Sequence, residues 1–272
     1  MRRLTWFNAT SLTLGFAFLY IPMIIVIIYS FNESRLVTVW GGFSTRWYGE
    51  LIQNDAFLDA AWVTAKVGFF SSIIATILGT MGAYVLVRGG RFFGRTLFSG
   101  MMYAPLVMPE VITGLSLLLL FISINLDRGL VTIVLAHATF SMCYVSVVVS
   151  SRLVSFDRSV EEAALDLGCT PFEAFRLVTL PIIAPAVISG WLLALTLSLD
   201  DLVIASFVAG PSATTLPIKV FSSIRLGVSP EINALSTILI SIVTIGTITA
   251  SLMTKRAISR QRRAEQLAEQ SA

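Results

Sequence analysis

Three carboxylates interrupt apolar runs of this sequence, where charged side chains are uncommon. Glu110 lies within PLVMPEVITG, and Asp200 and Asp201 lie within LTLSLDDLVIASF. A charge at the centre of a membrane costs roughly 2.5–3.5 kcal/mol on insertion scales, so such groups usually face a cavity or a partner. No basic residue shares these runs, and Lys66 is the only candidate counter-ion close by. The pattern indicates a pathway for a cationic solute.

Structural roles are the alternative for these acids. Asp200 or Asp201 could cap a broken helix or pair with a partner subunit, and Glu110 could be protonated. The single histidine, His137, lies in another apolar run. We expect a packed, hydrogen-bonded imidazole there rather than a proton relay.

Other chemistry has little support in the sequence. It contains no GxxxxGK[ST] phosphate-binding loop, so we expect no nucleotide hydrolysis by this chain. No group of residues has metal-ligand spacing. Cys143 and Cys169 are expected to be packing residues without a disulfide. We therefore predict a non-catalytic protein without a cofactor or metal of its own.

A polar segment, residues 155–181, separates two apolar runs and has the local signals of two short helices. Ser159 and Glu162 have the spacing of a capping box, and Gly168 suits the left-handed position just past a helix end. Helical spacing places Val160, Ala163, Ala164 and Leu167 on one face.

The second helix of the segment has its own boundaries. Thr170 and Glu173 have the spacing of another capping box, and Pro171 suits the first helical position. Pro181, which has no amide hydrogen, is expected to end the unit. We predict two rigid helices joined at a glycine turn.

The charge of this segment excludes DNA as its partner. Between residues 160 and 181 the acids outnumber the single base, Arg176, whereas phosphate binding requires positive charge. The acids are Glu161, Glu162, Asp166 and Glu173. An amphipathic helix that docks into a groove of a cytoplasmic protein is the favoured interpretation. A helix packed under its own bundle is the alternative.

The elements that carry these residues are membrane spans. The chain is 56% hydrophobic and 13% charged, against about 25% charged in a soluble domain. Six runs have the roughly 20 apolar residues that one span needs: 12–31, 62–87, 97–121, 130–153, 184–206 and 234–254. Most Lys and Arg residues fall on one side, which predicts cytoplasmic termini and a cytoplasmic segment 155–181.

The segment resembles the EAA loop of ABC-importer permease subunits. The match comprises Glu162-Ala163-Ala164, then Gly168 after three intervening residues, then Val178-x-Leu180-Pro181 after nine more intervening residues. The family usually has Ile at the position of Val178. The resemblance implies an all-α polytopic protein with six transmembrane helices, an N-terminal helix plus a five-helix core of the type I importer permease fold.

The resemblance also implies a domain organisation and a coupling site. Residues 1–60 would form the first helix and a periplasmic loop, 61–254 the core with coupling loop 155–181, and 255–272 a cytoplasmic tail. The residues expected to couple to an ATPase are Glu161, Glu162, Ala163, Ala164, Asp166, Gly168, Pro171, Leu180 and Pro181.

Four longer stretches are similar to polyamine permeases, and most closely to putrescine permeases of Gram-negative bacteria. They are FLYIPMIIVIIYSFN, APLVMPEVITGLSLLLLF, SLDDLVIASFVAGPSATTLP and GVSPEINAL. This similarity implies an inner-membrane importer subunit for putrescine or a related polyamine. Its implied partners are a second, homologous permease, two ATPase subunits that bind ATP and Mg, and a periplasmic binding protein, with no nucleic acid.

Two other classes of function compete with this interpretation. A self-sufficient, ion-coupled secondary transporter or channel could use the same acids, although we find no inverted repeat in the sequence. A membrane enzyme or sensor would need a catalytic set or signalling domain, and neither is recognisable.

Overall fold

The computed structural model describes residues 5–36, 39–227, 229–245 and 248–249. In this part of the chain the regular elements are helices, and the only β pairing is an isolated bridge between Asn32 and Phe43. The first six helices are α1 (Trp6–Tyr29), α2 (Arg46–Ile52), α3 (Asp55–Arg88), α4 (Arg95–Val107), α5 (Glu110–Ser123) and α6 (Leu130–Ser155).

The following helices begin with the short α7 (Ser159–Asp166). A continuous helix then runs over Pro171–Asp200 and consists of α8 (Pro171–Ala174), a π-helical turn (Phe175–Thr179) and α9 (Leu180–Asp200). The remaining helices are α10 (Val203–Val208), α11 (Leu216–Leu226) and α12 (Pro230–Ile245).

Among the described residues, four helices are long and apolar enough to cross a membrane: α1, α3, α6 and Pro171–Asp200. The predicted third span, 97–121, is instead a broken element, because α4 and α5 meet at a 119° bend. Pro109, which lacks an amide hydrogen, precedes α5 at this bend. Counting the bent pair as one span gives five. The sixth predicted run, 234–254, overlaps α12 and then extends beyond the described residues.

The predicted fifth span, 184–206, has different boundaries in the structure. Its helix begins earlier, at Pro171, and ends at Asp200. Residues 201–202 separate it from α10, with Asp201 in an extended conformation. The single predicted span is therefore wrong only over residues 201–206, where the chain breaks and forms a second, short helix.

The chain divides into two compact units, residues 56–222 and residues 1–55 with 223–272. In the first of these, α6 contributes to two hydrophobic clusters. Its first half packs with Val67 of α3 and Ile204 of α10, and its second half packs with Ile183 of α9. A Cβ at Gly79 would lie 2.6 Å from the carbonyl oxygen of Met142. Only glycine therefore permits this close approach of α3 and α6.

The other unit contains α1, α2 and α12, and its loop after α1 is organised by Asn32. The buried Asn32 side chain accepts hydrogen bonds from the amides of Ser34 and Gly41 and donates one to the carbonyl of Val39. The indole of Trp47 donates to the carbonyl of Asn32 over 2.6 Å. These bonds satisfy buried polar groups and fix the loop's shape.

Candidate coupling surface and buried polar network

The start of α7 differs from the predicted capping box. Ser159 is already the first helical residue, so its hydroxyl does not cap the helix. Its amide donates to Oδ1 of Asp157 over 3.0 Å, and this hydrogen bond lowers the pKa of the Asp157 carboxyl below its usual range. Glu162 lies 3.1 Å from Nε of Arg158 instead of returning to the helix start. The predicted Ser159–Glu162 box is therefore wrong, and Asp157 provides the cap.

The end of α7 and the start of α8 match the prediction. Gly168 has a φ of +93°, and the amides of Gly168 and Cys169 donate to the carbonyls of Leu165 and Ala164. This is the Schellman arrangement, which favours glycine because a Cβ is strained at positive φ.

The second predicted capping box is also present. The amide of Glu173 donates to Oγ1 of Thr170, and the amide of Thr170 donates to Oε2 of Glu173 over 2.8 Å. Pro171 occupies the first helical position, as expected. The turn and this box make segment 155–181 a defined unit and not a loose loop.

Pro181 does not end this unit, contrary to the prediction. It is the second residue of α9, and the helix continues through it. Proline cannot donate the usual helical hydrogen bond. The π-helical turn precedes it, in which the amide of Leu180 donates to the carbonyl of Phe175, five residues back. The wider turn accommodates the missing donor, as π-bulges do within α-helices.

The side chains of α7 divide between the interior and the surface. Glu161 and Ala164 are buried, whereas Glu162, Ala163 and Asp166 are exposed. The predicted face of Val160, Ala163, Ala164 and Leu167 is therefore split, because only Ala164 points inward.

Large apolar side chains are exposed along this segment, with Leu167 88% and Phe172 71% accessible. We name as the docking face the exposed apolar residues Val160, Leu165, Leu167, Phe172 and Leu177 with the acids Glu162, Asp166 and Glu173 between them. Of the remaining predicted coupling residues, Gly168, Pro171 and Pro181 are exposed and Leu180 is half-buried. An apolar patch with charged neighbours is typical of an interaction surface.

Glu161 anchors the segment to the interior. Its Oε2 lies 2.8 Å from Nε of Arg88, and its Oε1 accepts a hydrogen bond from Oγ1 of Thr179 over 2.7 Å. Sequence reasoning missed Arg88 and Thr179. Their positions just before a glycine pair and just before Leu180-Pro181 are the only local signals, and neither indicates Glu161 as the partner.

The three candidate acids of the substrate path lie at helix breaks. Glu110 is the exposed first residue of α5, and Asp200 is the exposed last residue of α9. In the described part of the chain no hydrogen bond or ion pair joins Glu110 to Asp200 or Asp201. Among the described residues no ion pair joins Lys66 to these acids, and its ammonium lies 5.7 Å from the ring centroid of Trp62.

Asp201 has the structural role that was the alternative interpretation. Its carboxylate accepts hydrogen bonds from the amides of Ile204 and Ala205, at 3.3 and 2.8 Å, and so caps α10. Its Oδ2 also lies 3.1 Å from Nε2 of His137. Nearly all of the Asp201 side chain is buried, so this acid is not free to receive a solute.

His137 belongs to a buried network that links four helices, as the packed, hydrogen-bonded interpretation predicted. Its Nδ1 lies 2.7 Å from Oγ of Ser198 on α9, which accepts a hydrogen bond from Oγ of Ser71 on α3. With Asp201 the network connects α3, α6, α9 and the start of α10. Buried polar networks of this kind fix the relative positions of the helices that carry them.

The fold is shared with a solved transporter chain. The structure resembles one chain of a bacterial ABC transporter involved in the import of the acidic polysaccharide alginate, with a TM-score of 0.69. The two are 18% identical, and the match covers 91% of this chain and 94% of that one. At this identity the similarity concerns the fold, and it supports the type I importer architecture.

Two relatives are similar over nearly their whole length. The putrescine transport system permease protein PotI of Escherichia coli K12 is 60% identical over 240 residues, covering 86% of this chain and 85% of the relative. The spermidine/putrescine transport system permease protein PotC of the same organism is 42% identical over 244 residues, covering 90% and 92%.

A family model gives the same result. Residues 75–263 match the family described as binding-protein-dependent transport system inner membrane component. This range includes the docking face, the Glu161 anchor and, except for Ser71, the His137 network. The chain therefore belongs to the family of inner-membrane permease components of binding-protein-dependent transport systems.

Proposed function

We propose that this permease imports putrescine and that segment 155–181 couples it to a cytoplasmic ATPase. Its family membership favours a binding-protein-dependent importer over the self-sufficient transporter or channel. The substrate proposal rests on 60% identity to a putrescine permease. Spermidine is the competing substrate, because the relative at 42% identity is named for both polyamines.

The docking face is the observation that carries the coupling role. Leu167 and Phe172 are large, exposed and held on either side of a Schellman turn. A surface like this buries its apolar side chains in a partner's groove, and its acids would meet basic residues at the rim. Arg and Lys around an apolar groove of the ATPase are the complementary chemistry.

The proposed transporter needs partner subunits, because no nucleotide-binding loop is recognisable in this sequence. Without a nucleotide-binding loop, the proposed arrangement places ATP and Mg on two ATPase subunits, and solute capture on a periplasmic binding protein. Alternating access needs two bodies that move against each other. We assign the second of these bodies to a different, homologous permease. The distribution of basic residues along the sequence supports placing both termini of this chain in the cytoplasm.

The proposed solute path uses the two exposed acids at helix breaks, Glu110 and Asp200. Broken helices present side chains and free backbone groups to substrates in other transporters. Carboxylates at these positions would attract the ammonium groups of a polyamine. Asp201 is omitted from the path because its carboxylate caps α10 and contacts His137.

Co-purification of the ATPase with docking-face variants tests the coupling role. Leu167→Asp should reach normal levels in the membrane, because the side chain is 88% exposed, yet lose the ATPase. Gly168→Pro should do the same by breaking the turn. Arg158→Gln, an exposed change outside the docking face, is the matched control. Normal ATPase recovery with Leu167→Asp would reject this role.

Transport assays in proteoliposomes test whether the protein is part of an ATP-driven importer and whether its solute is putrescine. The complete complex with binding protein and ATP should accumulate labelled putrescine, and unlabelled putrescine should compete better than spermidine. The permease alone should accumulate none. Transport by the permease alone would favour the secondary-transporter alternative, and better competition by spermidine would overturn the putrescine assignment.

A further inference from the structure

A chain of buried polar contacts joins α7 to two of the long helices. Arg88 is the last residue of α3, and its Nε lies 2.8 Å from Oε2 of Glu161. The other carboxylate oxygen of Glu161 accepts a hydrogen bond from Thr179, which ends the π-helical turn. One carboxylate on α7 thus contacts the end of α3 and the base of α9.

Burial makes this connection strong. The side chains of Arg88 and Glu161 are only 11% and 10% exposed, and Thr179 is fully buried. Separating the two charges would leave each buried without compensation, which is far more costly than breaking a surface pair. The guanidinium of Arg88 also donates to the carbonyl of Phe156, at 3.4 Å, and lies over its ring. We therefore expect α7 and the end of α3 to move together.

The neighbouring ion pair, between Arg158 and Glu162, is exposed to solvent and therefore weak. Arg158 and Glu162 lie 3.1 Å apart, but their side chains are 64% and 60% exposed. Exposed pairs of this kind contribute little, because water and salt screen them. Of the two adjacent glutamates, Glu161 is thus the one that attaches α7 to the interior.

The third member of the connection lies where the long helix is irregular. Thr179 ends a π-helical turn, and Pro181 follows it. Such turns interrupt the regular hydrogen-bond ladder and are places where a helix changes direction. The ring of Phe175 in the same turn packs edge-on against Tyr84 of α3, with ring centroids 4.9 Å apart. The base of α9 is thus tied to both α3 and α7.

We propose that Arg88, Glu161 and Thr179 are positioning residues that transmit displacement of α7 to the ends of α3 and α9 during transport. This inference rests on the proposed coupling function. The docking face receives the motion of the ATPase, and the buried connection carries it into the spans. Loss of the connection should uncouple ATP hydrolysis from uptake without preventing ATPase binding.

The test uses the complete transporter, with both permeases, the ATPase and the binding protein, in proteoliposomes. Glu161→Gln and Arg88→Gln should each retain the ATPase on purification and hydrolyse ATP. Putrescine taken up per ATP hydrolysed should fall by roughly tenfold or more, within the range typical of coupling between two sites, because α7 would no longer move the ends of α3 and α9. Arg158→Gln, which removes the exposed pair, is the matched control and should keep the normal ratio.

Two further variants, a double charge variant and Thr179→Val, test the connection in ways that the single charge variants cannot. If the residues act as a unit, Arg88→Gln with Glu161→Gln should be no worse than either single change, because interacting sites are non-additive. Multiplying losses would contradict a shared connection. Thr179→Val keeps the charge pair and the side-chain volume, so it tests the connection even if the charge variants fail to fold. An unchanged uptake-to-hydrolysis ratio in Thr179→Val would overturn the role of Thr179.

Failure of this inference is distinguishable from failure of the proposed function. If Glu161→Gln lost the ATPase altogether, Glu161 would act in docking and the transmission role would be wrong. If Leu167→Asp kept the ATPase, the docking face itself would be wrong. A normal ratio in both Glu161→Gln and Arg88→Gln, with Leu167→Asp still losing the ATPase, would reject transmission alone.

Discussion

Nδ1 of His137 and Oγ of Ser198 lie 2.7 Å apart in the interior of the helical core. This contact joins α6 to α9 two residues before α9 ends, and Asp201 lies on the other side of the same imidazole. The break between α9 and α10 is therefore held by specific polar partners, and these partners should contribute to the stability of the fold.

Ser198→Ala should lower the free energy of unfolding by about 1–3 kcal/mol, because it removes the buried hydroxyl that Nδ1 of His137 and Oγ of Ser71 both contact. Ser189→Ala is the matched control. Ser189 is an exposed serine on the same helix, bonded only to its own helix at Pro185, and its removal should change stability by about 0.5 kcal/mol or less. Reversible unfolding of the purified permease measures both, and equal effects would contradict the network's importance.

Asp201→Ala should destabilise the permease more than Asp201→Asn. Alanine removes the cap of α10, at a cost of about 0.5–2 kcal/mol, whereas asparagine can still accept a hydrogen bond from Ile204 or Ala205. Thermal unfolding of the two variants beside the wild type provides the comparison. If asparagine were as damaging as alanine, the charge and not the cap would be the important property.

Glu110→Gln and Asp200→Asn should reduce putrescine uptake while changing stability by about 0.5 kcal/mol or less, since both side chains are exposed. The reduction should be weaker for a neutral solute analogue, because a carboxylate attracts ammonium groups. Uptake by the complete transporter and unfolding of the isolated permease separate the two effects. Full putrescine uptake in both variants would rule out the charged path.

Thr170→Ala should cost about 1 kcal/mol through loss of the capping box with Glu173. Ser159→Ala should be close to neutral, because the Ser159 hydroxyl caps nothing. Limited proteolysis between α7 and α8, together with thermal unfolding, measures the local and global effects. Faster cleavage in Ser159→Ala than in Thr170→Ala would contradict these cap assignments.

Gly79→Ala should destabilise the permease by about 1–3 kcal/mol, because the added methyl would meet the backbone of α6 at Met142. Gly100→Ala is the control within α4, where a Cβ has nothing within 4 Å. It should be neutral or slightly stabilising, by up to about 1 kcal/mol, through helix propensity. Equal losses in the two variants would show that glycine at position 79 is not required for packing.

The sequence predicted those features whose causes are local. Gly168 and the Thr170–Glu173 box each depend on a few neighbouring residues, and the structure confirms them. The start of α7 was mispredicted because Asp157 and Ser159 can both cap a helix, and only the helix's actual first residue decides between them. The prediction that Pro181 ends the unit is wrong because a π-helical turn that accommodates a proline has no clear sequence signal.

Contacts between residues that are far apart in the chain could not be predicted from local sequence patterns. Arg88 and Glu161 are far apart in the chain, and neither has a neighbour that identifies the other. The break at Asp201 has no glycine or proline, so its apolar surroundings indicated one continuous span. The alternative role of the aspartates, to cap a broken helix, could be stated from the sequence, but only the hydrogen bonds from the amides of Ile204 and Ala205 identify Asp201 as the aspartate that has it.

The division of α7 into an inner and an outer side has a consequence for divergence and engineering. Glu161 and Ala164 hold the helix in place, and Glu162, Leu165 and Asp166 face outward. Because the two sets share no side chain, the outer set can be exchanged with that of another importer while the inner set stays constant. If the docking face binds the ATPase as proposed, a chimaera built this way should bind the ATPase of the other importer and keep its own transport path.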